Sequence, residues 1–167
     1  MSQAFIISLI TILNFILQST VIHHFSILGV LPNTTLIIVV CIALLKGKRA
    51  GSIVGLVSGL LQDIIFSPTI GVNALVYFFI GYVVGMNEPK ISKDNLFIAP
   101  IFTALMTLVY HVCYFVLIYF LTIKVSLSSF FKSVVFIELI YNSLLAIPIY
   151  KWFSTIFIVP SITFRRR

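Results

Sequence analysis

The sequence predicts an all-α polytopic membrane protein of six transmembrane helices, with both termini in the cytoplasm. Three observations point there. Hydrophobic residues make up 60% of the 167 and charged residues only 9%, against roughly 25% charged in soluble domains, and the mean hydropathy is +1.19. Apolar stretches recur along the chain at or near the length that crosses a bilayer, about 20 residues. The basic residues gather in alternate connections. At this length a single integral membrane domain, residues 1–167, is expected.

The first span runs from about Ala4 to Val21. No Lys or Arg precedes it and no small-residue cleavage site follows, so it reads as a retained helix rather than a signal peptide. Thr11, Asn14 and Gln18, three and four apart, share one face. His23 and His24 come next, at the outer interface. Neighbours on a helix point about 100° apart, so the pair is a poor ligand set and reads as solvated. The second span, Asn33 to Leu45, follows Pro32 and is short. Either Ile27 to Leu31 enters the membrane with it or the bilayer thins there. Cys41 and Cys113 both fall inside apolar stretches, which argues against a disulfide framework or a metal site.

The third and fourth spans, Ala50 to Phe66 and Val72 to Met86, form the structural centre, a hairpin through Ser67-Pro68-Thr69. Gly47, Gly51, Gly55 and Gly59 recur every fourth residue, and the next step lands on Asp63. In water each glycine would cost a helix about 1 kcal/mol relative to alanine. In lipid the helix survives and the missing side chains let a neighbour approach closely. Asn73, Tyr77, Gly81 and Gly85 also step by four. Laid antiparallel, the rows are expected to pair Asp63 with Asn73, Gly59 with Tyr77, Gly55 with Gly81 and Gly51 with Gly85. The packing seam is thus Gly51, Gly55, Gly59, Gly81 and Gly85. The fifth span runs from about Leu96 to Leu121 and the sixth from Phe130 to Ile149 or beyond, with Pro148 and Pro160 near or past its end.

Six spans place Lys46, Lys48, Arg49, Lys90, Lys93, Lys151 and Arg165-Arg166-Arg167 on one side, leaving Lys124 and Lys132 on the other. That excess marks the cytoplasm. The net charge of +7 therefore reads as membrane orientation and not as nucleic-acid binding.

Ionisable groups at membrane depth mark function or a paired structural contact. Asp63, His111 and Glu138 occur here, all in the outer half of the bilayer at about 1.5 Å per residue. Gln18 and Tyr77 lie near their level, and Asn14 and Asn142 about a turn deeper. Together with Asn73, and with Tyr110 and Tyr114 beside His111, these residues form an intramembrane polar layer. They are expected either to hold helices together by hydrogen bonds or to line a polar pocket opening outward. No nucleophile elbow, metal spacing, phosphate loop or Asp-rich loop is present, so no catalytic residue, cofactor or metal is assigned.

Leu31-Pro32-Asn33, then Leu45-Lys46-Gly47 and the Gly51, Gly55, Gly59, Asp63 row, resemble the MreD family of bacterial rod-shape-determining membrane proteins. Ser67-Pro68-Thr69-Ile70-Gly71, the Gly81 and Gly85 pair, and Tyr141-Asn142 ahead of Pro148 fit the same pattern, over nearly the whole chain. Asn33 departs from it, since the family often has an acidic residue after the proline. The resemblance implies a non-enzymatic component of the cell-wall elongation machinery in the bacterial cytoplasmic (inner) membrane. Its partners would be an MreC-like single-span protein and, indirectly, an MreB-like filament and the peptidoglycan synthases. Such proteins are also similar in layout to the substrate-binding S-components of vitamin transporters, which supplies a competing class, a small-molecule binder. S-components dock through small residues on the first helix, where this chain offers only Ala4 and Ser8.

Overall fold

The computed structural model describes residues 3–20, 29–67, 69–93, 95–121 and 134–157. His23, His24, Ile27, Pro68, Lys124, Lys132, Pro160 and Arg165 to Arg167, all given a place above, lie outside the described residues. Five helices follow in order: α1 (Gln3–Thr20), α2 (Thr34–Phe66), α3 (Val72–Met86), α4 (Ile98–Phe120) and α5 (Val134–Phe157), with a 3-10 turn at Glu88–Lys90. No strand occurs among the described residues.

The second and third expected spans are one element, α2, broken at a single residue. Asn33 starts it: its side-chain oxygen accepts the Leu36 N–H at 3.0 Å, satisfying one orphan donor of the first turn. At Gly47 the backbone turns through φ 79° and ψ −176°, a conformation that costs a residue with a Cβ dearly. The chain there folds back on itself. Gln62 Nε2 donates to Thr35 Oγ1 at 3.1 Å, and a Cβ on Gly51 would meet Ala43, so the two limbs lie antiparallel. A reversal through one glycine replaces the expected loop at Lys46 to Arg49.

Lysines secure that end. Lys93 Nζ donates to the Leu45 carbonyl at 3.1 Å and pairs with Glu88. Lys46 Nζ reaches Gln3 Oε1 at 2.9 Å and the Phe157 carbonyl at 3.3 Å, and it lies over the Phe157 ring. It thereby joins α1, α2 and α5. Burial lowers the Lys46 pKa, the Lys93 charge adds to the effect, and Glu88 opposes it.

α5 continues past Pro148 to Phe157, in keeping with a span expected to reach Ile149 or beyond. Proline removes one helical donor, but Tyr150 and Phe153 are fully buried on the far side of it. Tyr150 also donates its hydroxyl to the Lys93 carbonyl at 3.1 Å, so packing carries the helix through.

The first limb of α2 is the core. Leu36, Ile37, Val39, Val40, Cys41, Ile42, Ala43 and Leu44 have no exposed surface. α1, α4 and α5 all pack against α2, and α3 pairs with its second limb. The outside is apolar: Leu13 and Ile16 on α1, Leu56 and Ile64 on α2, Phe79 on α3, and Ile101 and Leu105 on α4 are exposed. Asn14, Gln62, Asp63, Asn73, His111, Glu138 and Asn142 are buried. Polar groups inside and apolar groups outside suit lipid as the solvent. α1 and α4 are long and apolar enough to cross a membrane by length and composition, while α3 has 15 residues.

The glycine rows face each other one helical turn away from the expected register. A Cβ on Gly51 would stand 2.7 Å from the Gly81 carbonyl, one on Gly55 against Tyr77, one on Gly59 against Asn73 and Ala74, and one on Gly85 against Lys48 and Gly47. Gly51 thus meets Gly81 instead of Gly85, and Gly55 meets Tyr77 instead of Gly81. The reason lies at Asp63. It does not stand alongside α3 but past its first turn, where it caps the free N–H groups.

Candidate functional site

The end of the bundle away from Gly47 brings together the start of the first limb of α2, the end of the second, the start of α3, and facing turns of α4 and α5. A cavity of about 430 Å3 opens there. Of the polar residues read from the sequence, Gln18, Asn73, Tyr77, Tyr110, His111, Tyr114 and Glu138 line it. Asp63 and Asn142 do not; both are fully buried beside it.

Asp63 sits on the N-terminus of α3. Its Oδ2 accepts the N–H of Gly71 at 2.9 Å and of Ala74 at 3.0 Å. Its Oδ1 accepts the N–H of Asn73 at 3.2 Å and Asn73 Nδ2 at 2.8 Å. Helix N-termini carry unsatisfied donors and a positive dipole end, so this carboxylate is compensated without a cation. Gly71 (φ 102°) makes the turn that presents those donors.

From Asn73 the network runs on: its Oδ1 accepts the Tyr110 hydroxyl at 2.7 Å. Tyr110 stacks between Tyr77, at 5.2 Å between ring centroids, and Tyr114, at 5.7 Å. The Tyr77 hydroxyl meets the Asn33 side chain, 3.0 Å from Oδ1 and 2.8 Å from Nδ2. The Asn33 backbone N–H donates to Asn142 Oδ1 at 2.9 Å. Asn142 Nδ2 then donates to Glu138 Oε1 at 3.3 Å and to Thr107 Oγ1 at 3.2 Å.

Glu138 Oε2 stands 3.1 Å from His111 Nε2. The other ring nitrogen, Nδ1, is 2.9 Å from the Thr107 carbonyl. A carbonyl only accepts, so Nδ1 carries a hydrogen. One further proton then lies between Nε2 and Oε2, giving either an imidazolium–carboxylate pair or a neutral imidazole and carboxylic acid. In both forms the pair sums to zero charge, which is what a buried site tolerates.

Gln18 bonds to the start of α2 and, among the described residues, to neither carboxyl group. Its Oε1 accepts the Thr35 hydroxyl at 2.6 Å, and Thr35 Oγ1 in turn accepts Asn14 Nδ2 and Gln62 Nε2, each at 3.1 Å. Thr35 is therefore a hub that the sequence reading passed over, along with Gln62, Asn33 as a hydrogen-bonding partner, and Thr107. Gln62 had a signal, being adjacent to Asp63 and level with Gln18. A threonine among Leu, Ile and Val carries little.

Among the described residues no three His, Cys, Asp or Glu side chains group as metal ligands. Cys41 is fully buried and Cys113 half-buried, and neither is disulfide-bonded. The cavity offers amide, phenol, imidazole and carboxyl groups, already joined to one another, on walls from all five helices.

No curated protein and no solved structure matches the chain. The family of the rod shape-determining protein MreD matches residues 1–158 of the 167. That match takes in every helix and both halves of the polar network, and the chain belongs to the MreD family of rod shape-determining proteins.

Proposed function

We propose that the chain is a non-enzymatic scaffold of the cell-wall elongation complex in the bacterial inner membrane. It crosses the bilayer six times, the two limbs of α2 counting separately, with both termini in the cytoplasm. It supports lateral peptidoglycan synthesis by binding an MreC-like single-span partner, and through it serves an MreB-like filament and the peptidoglycan synthases. The observation that carries this reading is how the buried polar groups are used. Asp63 is committed to the start of α3, and Glu138 to His111 and Asn142. Each fixes where helices stand. Gly51, Gly55, Gly59, Gly81 and Gly85 serve as the seam of that frame, and because each is packed against backbone of this same chain, the partner docks on another face.

A second reading, an S-component-like binder of a small molecule, is favoured by the cavity of about 430 Å3 with its polar walls. One variant separates the two. Glu138→Gln, expressed in a strain lacking the protein, is expected to restore rod shape and to co-purify with the MreC-like partner. Normal partner capture with complete loss of rod shape would favour the second reading.

A further inference from the structure

The described Lys and Arg residues gather at one end of the bundle, and Glu88 lies there with them. Lys46, Lys48, Arg49, Lys90, Lys93 and Lys151 belong to the Gly47 end. No described Lys or Arg lines the cavity at the other end, where the ionisable groups are Glu138, His111 and tyrosines, with Asp63 close behind Asn73. Among the described residues each Glu138 oxygen has a single partner, His111 or Asn142, and a carboxylate can accept about four hydrogen bonds. Gln62 donates its amide nitrogen to Thr35, its oxygen having no partner among the described residues, and the Tyr114 ring forms part of the wall. A phosphate or carboxylate entering this space would meet the Glu138 carboxyl and, among the described residues, no Lys or Arg to hold it. A positive group would meet a carboxylate with spare lone pairs and an aromatic ring, both of which favour it.

We infer that the cavity is a binding site for an organic cation, an ammonium or guanidinium group, with Glu138 as its counter-ion. This rests on the second reading above, that the cavity is a binding site. It does not depend on whether a free amine or a partner's side chain carries the group. His111 and Glu138 hold one proton between them and sum to zero. Adding a cation would leave a net positive charge in a site of low dielectric, which is costly. The shared proton therefore leaves to solvent. Glu138 then remains as carboxylate against the ligand, and His111 remains neutral with its Nδ1 hydrogen on the Thr107 carbonyl. The other titratable groups around Glu138 are Tyr110 and Tyr114 on α4, Tyr77 on α3 and Asp63 on α2. Because one proton is released, binding tightens as pH rises.

The test uses the full-length protein in nanodiscs, titrated calorimetrically with benzylammonium, benzyl alcohol and benzoate, probes matched in size. Two buffers of different ionisation heat report the protons released. Benzylammonium is expected to bind at least about tenfold more tightly than benzoate, releasing about one proton per site, more tightly at higher pH. In Glu138→Gln, with its melting temperature checked to show that it is folded, both the preference and the proton release should disappear. Equal binding of all three probes, with no proton release, overturns the cation assignment and leaves the cavity as a site. No binding by any probe overturns both. A soluble peptide bearing one lysine, run beside benzylammonium, distinguishes a side-chain source from a free amine by which of the two binds more tightly.

Discussion

Asp63 and Glu138 lie at the same end of the bundle but are held in different ways, and isosteric replacement should separate them. Asp63 accepts four hydrogen bonds, two on each oxygen. An amide in its place turns one oxygen into a donor facing donors. Asp63→Asn should lose about 2 kcal/mol or more, read as a lowered melting temperature and less folded protein in the membrane. Glu138→Gln keeps its partners, because the amide oxygen still accepts from Asn142 and the amide N–H can donate to a neutral His111. Its melting temperature should change little. A stable Asp63→Asn protein would show that the cap on α3 is dispensable. At this scale the sequence was informative about which residues matter and poor about what they touch. A carboxyl in an apolar run stands out, and Asn73 was placed beside Asp63. That the main acceptance is from backbone N–H groups, and that Glu138 pairs with a histidine 27 positions earlier in the chain, depends on contacts between elements. Thr35 was invisible because its hydroxyl becomes a hub only when Asn14, Gln18 and Gln62 converge on it.

The seam between the second limb of α2 and α3 shows why spacing alone leaves a helix pair undetermined. A row that repeats every four residues looks the same after sliding by four, so the two rows can pair in registers one turn apart. The polar residue past the end of the row decides between them. Asp63 must reach beyond the first turn of α3 to meet its free donors, and Gly51 then falls opposite Gly81. Single alanines at Gly51, Gly55 and Gly81 should each cost about 1–3 kcal/mol, since the added methyl meets backbone. In double-mutant cycles the largest coupling is expected between Gly51→Ala and Gly81→Ala, because both push apart the same contact. Largest coupling between Gly51 and Gly85 would return the hairpin to the other register. Two further element boundaries were set by packing and not by local signals. Lys46 to Arg49 read as a loop but are a reversal through one glycine, and the end of the last helix, left open as Ile149 or beyond, is carried to Phe157 by buried Tyr150 and Phe153.

At the scale of the molecule, the class was legible because it depends on composition, which no contact can alter. The all-helical fold and its polar interior follow from an apolar chain with few charges. Orientation depends on the charge asymmetry, and reporter fusions after Lys48, Lys93 and Arg167 should all read cytoplasmic, with one near Ser126 on the far side. An extracytoplasmic reading after Arg167 is incompatible with six crossings. The cavity itself was only half legible: Gln18, Asn73, His111, Glu138 and the tyrosines of its wall stood out, but not Asn33 or Gln62, nor that Asp63 and Asn142 would sit behind the wall. The buried first limb of α2 also bears on how the protein is made. Residues 34–46 cover only about 20 Å at 1.5 Å per residue, short of the roughly 30 Å hydrocarbon core, and from Leu36 to Leu44 almost no side-chain surface remains for lipid. This limb emerges from the ribosome before the α3, α4 and α5 residues that will enclose it. It therefore has no comfortable resting place of its own during synthesis. It has to wait, paired with α1 and its own second limb or sheltered by the insertion machinery, until the C-terminal half closes round it, so chains truncated after Phe66 should be degraded rather than retained in the membrane.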